Sequence, residues 1–248
     1  MSASRVKKSF DKASASYHDY AHVQKDMAEY LVSMLPLKTR DLILEAGCGT
    51  GNLTELLIKN SIGADLVIND ISPAMLQKCQ ELIAPLADKK ALAYAGDFMD
   101  LKGSATYDLV ISNAMLQWCQ DLKGALLHLK SLIKDHGELA FSSFGPQNFK
   151  EIKSLLDIGL DYKGQDEICA ILESLGFKYI FKERVIKEYF AGSHELLSYI
   201  KHTGVGALND KPLSFKELRN FMSCYDRDFK EGDKVYITWH QYFIYATL

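Results

Sequence analysis

The sequence predicts an α/β fold, a doubly wound and mostly parallel sheet of seven strands. Three observations predict it. Short apolar runs alternate with segments whose apolar residues recur every three to four positions. The first run, LILEA, passes directly into a glycine turn at Gly47, Gly49 and Gly51. The polar clusters of the first half each follow an apolar run, at the strand ends outside which open α/β sheets bind ligands.

Taken in order, residues 1–40 carry seven basic and four acidic side chains, a local excess of positive charge. Phe10, Ala13 and Tyr17 share one helical face. Val23, Met27, Tyr30, Leu31 and Leu35 mark a second helix, stopped by Pro36. The junction between them, SYHDYAHVQ, is rich in residues that cover an apolar face and still hydrogen-bond, as a lid requires; interface filling is the alternative. Leu42 to Ala46 is then a buried parallel strand. Gly47 and Gly49 lack a Cβ, so the backbone turns sharply and can lie against a ligand. The spacing is not the dinucleotide fingerprint, because Gly51 follows Gly49 by two positions, and no Gly-Lys-Ser/Thr makes it a phosphate loop.

Asn52 to Ile58 reads as a helix, and Ala64 to Asp70 as the second strand. Asp70 stands 19 positions beyond Gly51, where a carboxylate can accept both ribose hydroxyls of an adenosine. Ser72-Pro73 caps the next helix, whose buried stripe is Met75, Leu76, Cys79, Leu82 and Ile83. Ala91 to Ala95 is a short strand. Asp97 and Phe98 after it suit an adenine, the acid taking the exocyclic amine and the ring packing on its face; a plain turn is the alternative. Tyr107 to Ser112 is a central strand, followed by Asn113 through Trp118 to Cys119. Leu122, Leu126, Leu129 and Ile133 make a helix closed by Gly137, and Glu138 to Phe141 a fifth strand. Beyond it lie helices over Phe149–Leu156 and Gln165–Leu175 and an alternating strand over Lys178–Phe190. Helices capped by Ser193 (ending near Gly204 and Gly206) and Ser214, and a long aromatic strand from Val235, complete the order.

Composition narrows the function. The 248 residues are 48% hydrophobic, enough for one large core. The formal charge is −3, which offers no global attraction for nucleic acid. Cys48, Cys79, Cys119, Cys169 and Cys224 show no metal-ligand spacing; an odd, dispersed set fits free thiols in a reducing cytoplasm. Cys48 reads as a small filler beside the ligand. MSASRVKKSF has no apolar stretch after it, and no run of about 20 apolar residues predicts a membrane span.

The stretch Glu45-x-Gly47-x-Gly49-x-Gly51 resembles the first motif of the S-adenosylmethionine-dependent methyltransferases. SFDKASASYHDYAHVQ, SNAMLQWCQDL, FSSFGPQNFKEI, YIKHTGVGALN and ITWHQYFIYA resemble more narrowly the malonyl-acyl carrier protein O-methyltransferases of biotin synthesis, nearly end to end. LQW also occurs in the trans-aconitate carboxyl methyltransferases. The resemblance implies a single domain over 1–248: an N-terminal helical lid (1–35), a cofactor core (40–145) and a region of cap helices and antiparallel strands (146–248), the final strand lying between the fifth and sixth. It implies S-adenosylmethionine as cofactor, held by Tyr17, Gln24, Glu45, Gly47, Cys48, Gly49, Gly51, Asp70, Ile71, Met75, Asp97, Phe98, Asn113 and Gln117. It implies methylation of the free carboxylate of a malonyl thioester on an acyl carrier protein, by a cytoplasmic monomer. A small free acid such as trans-aconitate as acceptor, or cofactor binding without catalysis, are the rival readings.

A carboxylate with a pKa near 4 is already ionised at neutral pH, so its methylation needs no general base. Neutral donors suit the reacting oxygen better than a salt bridge, which would quiet it. The candidates for positioning the substrate are Tyr17, Trp118, Lys201, His202 and His240. Four of the five have a structural alternative: helix-face packing for Tyr17, core packing for Trp118, a solvated surface position for Lys201, a structural strand histidine for His240. Lys150 and Lys153, with no arginine beside them, follow the fifth strand. Together with Lys201 and the N-terminal segment they are the local sources of attraction for an acidic carrier.

Overall fold

The computed structural model describes residues 3–60, 64–86, 91–103, 105–202 and 213–248. Its strands are β1 (Leu42–Ala46), β2 (Asp65–Asp70), β3 (Ala91–Ala95), β4 (Tyr107–Ser112), β5 (Ile133–Phe144), β6 (Lys178–Phe190), β7 (Lys230–Glu231) and β8 (Lys234–Thr247). Seven of them form one sheet in the order β3-β2-β1-β4-β5-β8-β6, with the short β7 paired to β8. β1 to β5 are mutually parallel, and β8 enters antiparallel between β5 and β6. The helices are α1 (Ala3–Ala13), α2 (Tyr17–Tyr20), α3 (His22–Ser33), α4 (Asn52–Asn60), α5 (Pro73–Ile83), α6 (Leu122–Leu132), α7 (Lys150–Leu156), α8 (Gln165–Ser174), α9 (Ser193–His202) and α10 (Phe215–Asp228).

The apolar strands are buried because helices cover both faces. One core collects Ile43, Leu109 and Ile111 with α3 and α4; the other collects Leu44, Val110, Leu139 and Phe141 with α6 and α8. Ser72 caps α5 as its sequence predicts, its hydroxyl accepting from the Met75 amide at 3.1 Å. Ser214 and Glu217 form a reciprocal capping box on α10.

Three expectations change. α1 stops at Ala13, so Phe10 and Tyr17 are on different helices, although their rings meet edge to face at 6.0 Å. β5 is longer than Glu138–Phe141, because Ile133 pairs with Tyr107 instead of extending α6, and Ser142 to Phe144 pair with β8. The third concerns the 1–35 lid. In α3, Met27, Ala28 and Leu31 are fully buried in the main core. Fully burying a side chain of that kind is worth about 1.5–3 kcal/mol, so α3 belongs to the body, and the lid reading narrows to α1 and α2. The predicted end of α9 near Gly204 and Gly206, and YIKHTGVGALN beyond His202, lie outside the described residues.

A buried ion pair joins the segment before β1 to the sheet. The Glu138 carboxylate is fully buried; it accepts from Arg40 Nε at 2.7 Å, from Lys38 at 3.2 Å and from the Tyr245 hydroxyl. Burial pushes this carboxyl up, but the Arg40, Tyr245 and Lys38 contacts outweigh it and hold it below the usual carboxylate range.

Candidate functional site

The carboxyl ends of β1, β2 and β4 open into one cavity of about 320 Å³, within the size of small-molecule sites. Gly47, Gly49, Asp70, Ile71, Met75, Asp97, Phe98, Asn113, Trp118 and, from α2, Tyr17 all line it. The glycine loop is held down by one acceptor: the Gly47 and Cys48 amides both donate to the Asn69 carbonyl at 2.9 Å. Gly47 has φ +77, and a Cβ there would stand 2.5 Å from Met115 Cγ, so only glycine lets the segment after β4 pack so close.

Asp70 is buried, and its two oxygens accept from the backbone amides of Gly49 and Ser72, each at 2.8 Å. A carboxylate offers about four acceptor positions; two therefore stay available to a ligand. Burial raises its pKa to about 6; the two amides oppose the rise and the charge of Asp11 adds to it. Asp97 caps a turn of 3-10 helix by accepting from the Met99 amide at 3.0 Å, so the turn and the cavity wall are the same structure. Asn113 lines the cavity, but its amide is committed, donating to the Gln24 carbonyl at 2.8 Å and accepting from Ser142 Oγ at 2.6 Å.

Several expected residues stand elsewhere. Glu45 is buried beneath the loop and accepts from Thr54 Oγ1 at 2.6 Å, away from the cavity wall. Burial raises its pKa to about 8, with Asp70 adding and Thr54 opposing. Cys48 turns from the cavity into a cluster with Ile68, Leu76, Cys79 and Ile83, and its contact with Cys79 together with burial pushes the thiol up. Gly51 faces α5, where a Cβ would meet Cys79 Sγ at 3.1 Å; its φ of +101 is a packing requirement. Lys201 is exposed, and His202 stacks on Tyr20 at 4.5 Å.

A second, smaller cavity of about 20 Å³ lies behind the first. The two share Phe10, Tyr17, Ala114 and Trp118 as a wall, in which Trp118 meets Phe10 edge to face at 5.6 Å. Gln24 and Gln117, expected at the cofactor, line this second space instead, with Asn148, Tyr162 and Trp239. No charged side chain lines it among the described residues. His240 is not in its wall. It is buried, accepts the Gln147 amide on Nδ1 at 3.0 Å and contacts Glu183 through Nε2. β8 side chains alternate between faces, so Trp239 reaches the cavity and His240 is buried on the opposite face of the sheet. Asn148 and Tyr162 were missed because they come from irregular segments with no periodicity to mark them.

α1 and α2 are fastened over the cavity by short side chains. Ser72 Oγ donates to Asp11 at 2.5 Å and His18 meets Thr50 at 3.2 Å, while Lys7, within α1, donates to Asp11 at 2.8 Å and steadies its carboxylate. Burial, with the charge of Asp70 adding, pushes the Tyr17 hydroxyl well above its ordinary range, so it remains a donor.

A family profile described as a methyltransferase domain matches residues 44–139. Among curated relatives, the malonyl-[acyl-carrier protein] O-methyltransferase of Acetivibrio thermocellus is 32% identical, covering 95% of this chain and 90% of that protein. That of Haemophilus influenzae is 31% identical, covering 98% and 94%. Among solved structures, the YcgJ protein of Bacillus subtilis aligns with a TM-score of 0.69 at 11% identity, covering 90% of this chain and 97% of that one. The phosphoethanolamine N-methyltransferase 2 of Haemonchus contortus, in complex with S-adenosyl-L-methionine, aligns with a TM-score of 0.56 at 18% identity, covering 90% and 52%. These two likenesses establish the fold.

Proposed function

We propose, from the premise that this chain belongs to the malonyl-[acyl-carrier protein] O-methyltransferase family, that it carries out the reaction its relatives are named for. It is an S-adenosylmethionine-dependent O-methyltransferase that esterifies the free carboxylate of a malonyl group on an acyl carrier protein, an early step toward biotin. The geometric observation that carries the reading is the pair of cavities meeting at one aromatic wall, one acidic and one free of charge.

The larger cavity fits the cofactor. Asp70 has two acceptor positions left for ribose hydroxyls; Gly47 and Gly49 let the backbone approach; Asp97 and Phe98 suit an adenine; a carboxylate at Asp70 disfavours a phosphate-bearing ligand. Bound there, the cofactor supplies a methyl group activated by a sulfonium. The residues of the chain then have three tasks. Tyr17, Phe10 and Trp118 exclude water and bring the two sites together, Asp70 and the loop fix the donor, and the second cavity orients the acceptor. No residue need take a proton, because the acceptor is already ionised.

Mass spectrometry of malonyl carrier protein incubated with enzyme and cofactor tests the reading. The expected result is a gain equal to one methylene, absent with trans-aconitate. Turnover of trans-aconitate instead, or cofactor binding with no turnover of any carboxylate, would overturn it.

The carrier is expected to dock on exposed lysines beside the cavities: Lys8 and Lys12 on α1, Lys150 and Lys153 on α7. The chain as a whole is slightly acidic, so only such local patches can attract an acidic partner. Reversing either pair to glutamate should raise KM for malonyl carrier protein more than it lowers kcat. Added salt should mimic the variants, since screening acts within about 8 Å at physiological ionic strength. Kinetics indifferent to both would exclude docking through these lysines. We further read α1 and α2 as a lid. Hydrogen exchange with and without S-adenosylhomocysteine should show added protection confined to 3–20, with α3 unchanged; equal protection throughout would count against a lid. A cytoplasmic setting is supported by five cysteines that are all free.

A further inference from the structure

We infer that the small cavity behind the Phe10–Tyr17–Trp118 wall is the seat of the substrate carboxylate, held by the neutral groups of Tyr162, Asn148 and Gln24 and by no cation. The inference rests on the acceptor being a malonyl thioester. Three observations carry it.

The first is an unsatisfied polar lining. Gln24 is 5% exposed, yet its side-chain oxygen has no partner, and neither has that of Gln117, whose amide nitrogen donates to the Ala114 carbonyl at 2.5 Å. Both orphans are acceptors; the Gln117 nitrogen is committed to Ala114, so only the Gln24 amide is free to turn a donor toward a carboxylate. Rotating the Gln24 amide turns its N–H2 toward the cavity.

The second is a prearranged donor. The His240 amide donates to Asn148 Oδ1 at 3.2 Å, which fixes the Asn148 side chain with its nitrogen toward the Tyr162 hydroxyl, 3.0 Å away. The Tyr162 oxygen is thereby an acceptor, and its own proton is left for a third group. The Gln147 amide on His240 Nδ1, the Gly145 amide on the His240 carbonyl and the Phe149 amide on the Thr238 carbonyl pin the whole loop after β5 to β8. The His240 side chain reaches this loop through the Gln147 amide, next to Asn148 in sequence, so it is a positioning residue that acts on Asn148 by holding the loop.

The third is the absence of charge in the lining among the described residues. Methylation removes the negative charge of the acceptor, so a cation at the carboxylate would stabilise the substrate more than the transition state and slow the reaction. Hydrogen-bond donors compensate the desolvated anion while weakening less as the charge disappears. A site of this kind takes one carboxylate on an otherwise apolar or thioester-linked chain. It rejects a polycarboxylic acid, whose remaining charges would be buried unpaired. The present volume of about 20 Å³ holds one water-sized group, so Phe10 and Tyr17 must move outward to admit the acyl head.

The test is steady-state kinetics with malonyl carrier protein, beside calorimetry of S-adenosylhomocysteine binding. Tyr162→Phe removes one oxygen and is expected to lower kcat/KM about tenfold to a hundredfold, mostly through KM, the worth of a hydrogen bond to a charged group. S-adenosylhomocysteine affinity should stay within twofold. Gln24→Met, similar in size and apolar, should act in the same direction. His240→Gln should raise KM in the wild-type background and add nothing to Asn148→Ala, which a purely structural role would not produce. If the wild type methylates malonyl carrier protein while folded Tyr162→Phe and Gln24→Met keep both constants within twofold, the inference is wrong and the functional reading stands. If the wild type methylates no malonyl thioester, both are wrong.

Discussion

Arg40→Met will lower the unfolding temperature by about 6–20 °C, from a loss of about 3–5 kcal/mol at roughly 2–4 °C per kcal/mol for a chain of this size. Arg40 and Glu138 are each almost wholly buried, 2.7 Å apart. Removing the guanidinium leaves a buried carboxylate with a half-exposed lysine and a tyrosine hydroxyl as its support. The loss should shrink in acid. The folded-state pKa of Glu138 lies below its ordinary value, so its contribution is present above the unfolded pKa and disappears as pH falls through the lowered one. Replacing both residues, Arg40→Met with Glu138→Met, should recover part of the stability, because no charge is then left uncompensated. Thermal unfolding followed by circular dichroism at pH 7.5 and at a pH below 4 decides it: an unchanged midpoint for the single variant at pH 7.5 would mean the pair contributes nothing.

Asp70→Asn will weaken S-adenosylhomocysteine binding about tenfold to a hundredfold, the cost of about 1.5–3 kcal/mol for hydrogen bonds to a charged acceptor. The pH dependence should be as telling as the loss. With a pKa of about 6 in the free protein, the wild type must give up a proton to bind a ligand through its carboxylate. Affinity should therefore fall about tenfold per pH unit below 6 and level off above it. The variant should show no such slope. The same group works against folding: its folded-state pKa exceeds the unfolded one, so the penalty is complete above pH 6 and vanishes below the ordinary aspartate range. Binding calorimetry of both proteins from pH 5 to 8 tests the role in binding: equal affinity in wild type and variant would remove Asp70 from the binding site, and a flat wild-type profile would mean its carboxyl is ionised throughout the range.

The parallel half of the sheet was legible because each strand is an apolar run with a polar tip. Lys178–Phe190 was legible from alternation alone, and β6 spans those residues. The ends of β5 were not, since Ser142 and Ser143 read as a loop until the antiparallel partner β8 supplies their hydrogen bonds. At the site, Gly47, Asp70 and Asp97 could be read because one short segment sets their position. Glu45, Cys48 and Gly51 belong to the same motif, but their side chains, or the space a side chain would fill, point into the body of the protein, and a motif does not say which way each member faces. His240 drew attention as a polar residue in an apolar strand. Its side chain fixes the loop carrying Asn148 by accepting the Gln147 amide, 93 positions away, a relation that no local pattern carries.

β8 lies between β5 and β6 but is made after both. On a ribosome adding about 5–20 residues per second, the 57 positions between Phe190 and Thr247 take roughly 3–11 seconds. Through that interval β6 has no neighbour on either side, and β5 has one edge bare. A growing chain in this condition carries two sticky ribbons that pair with any other extended segment nearby. Its escape from aggregation during synthesis is therefore a matter of timing and of helper proteins that shield those edges until β8 arrives.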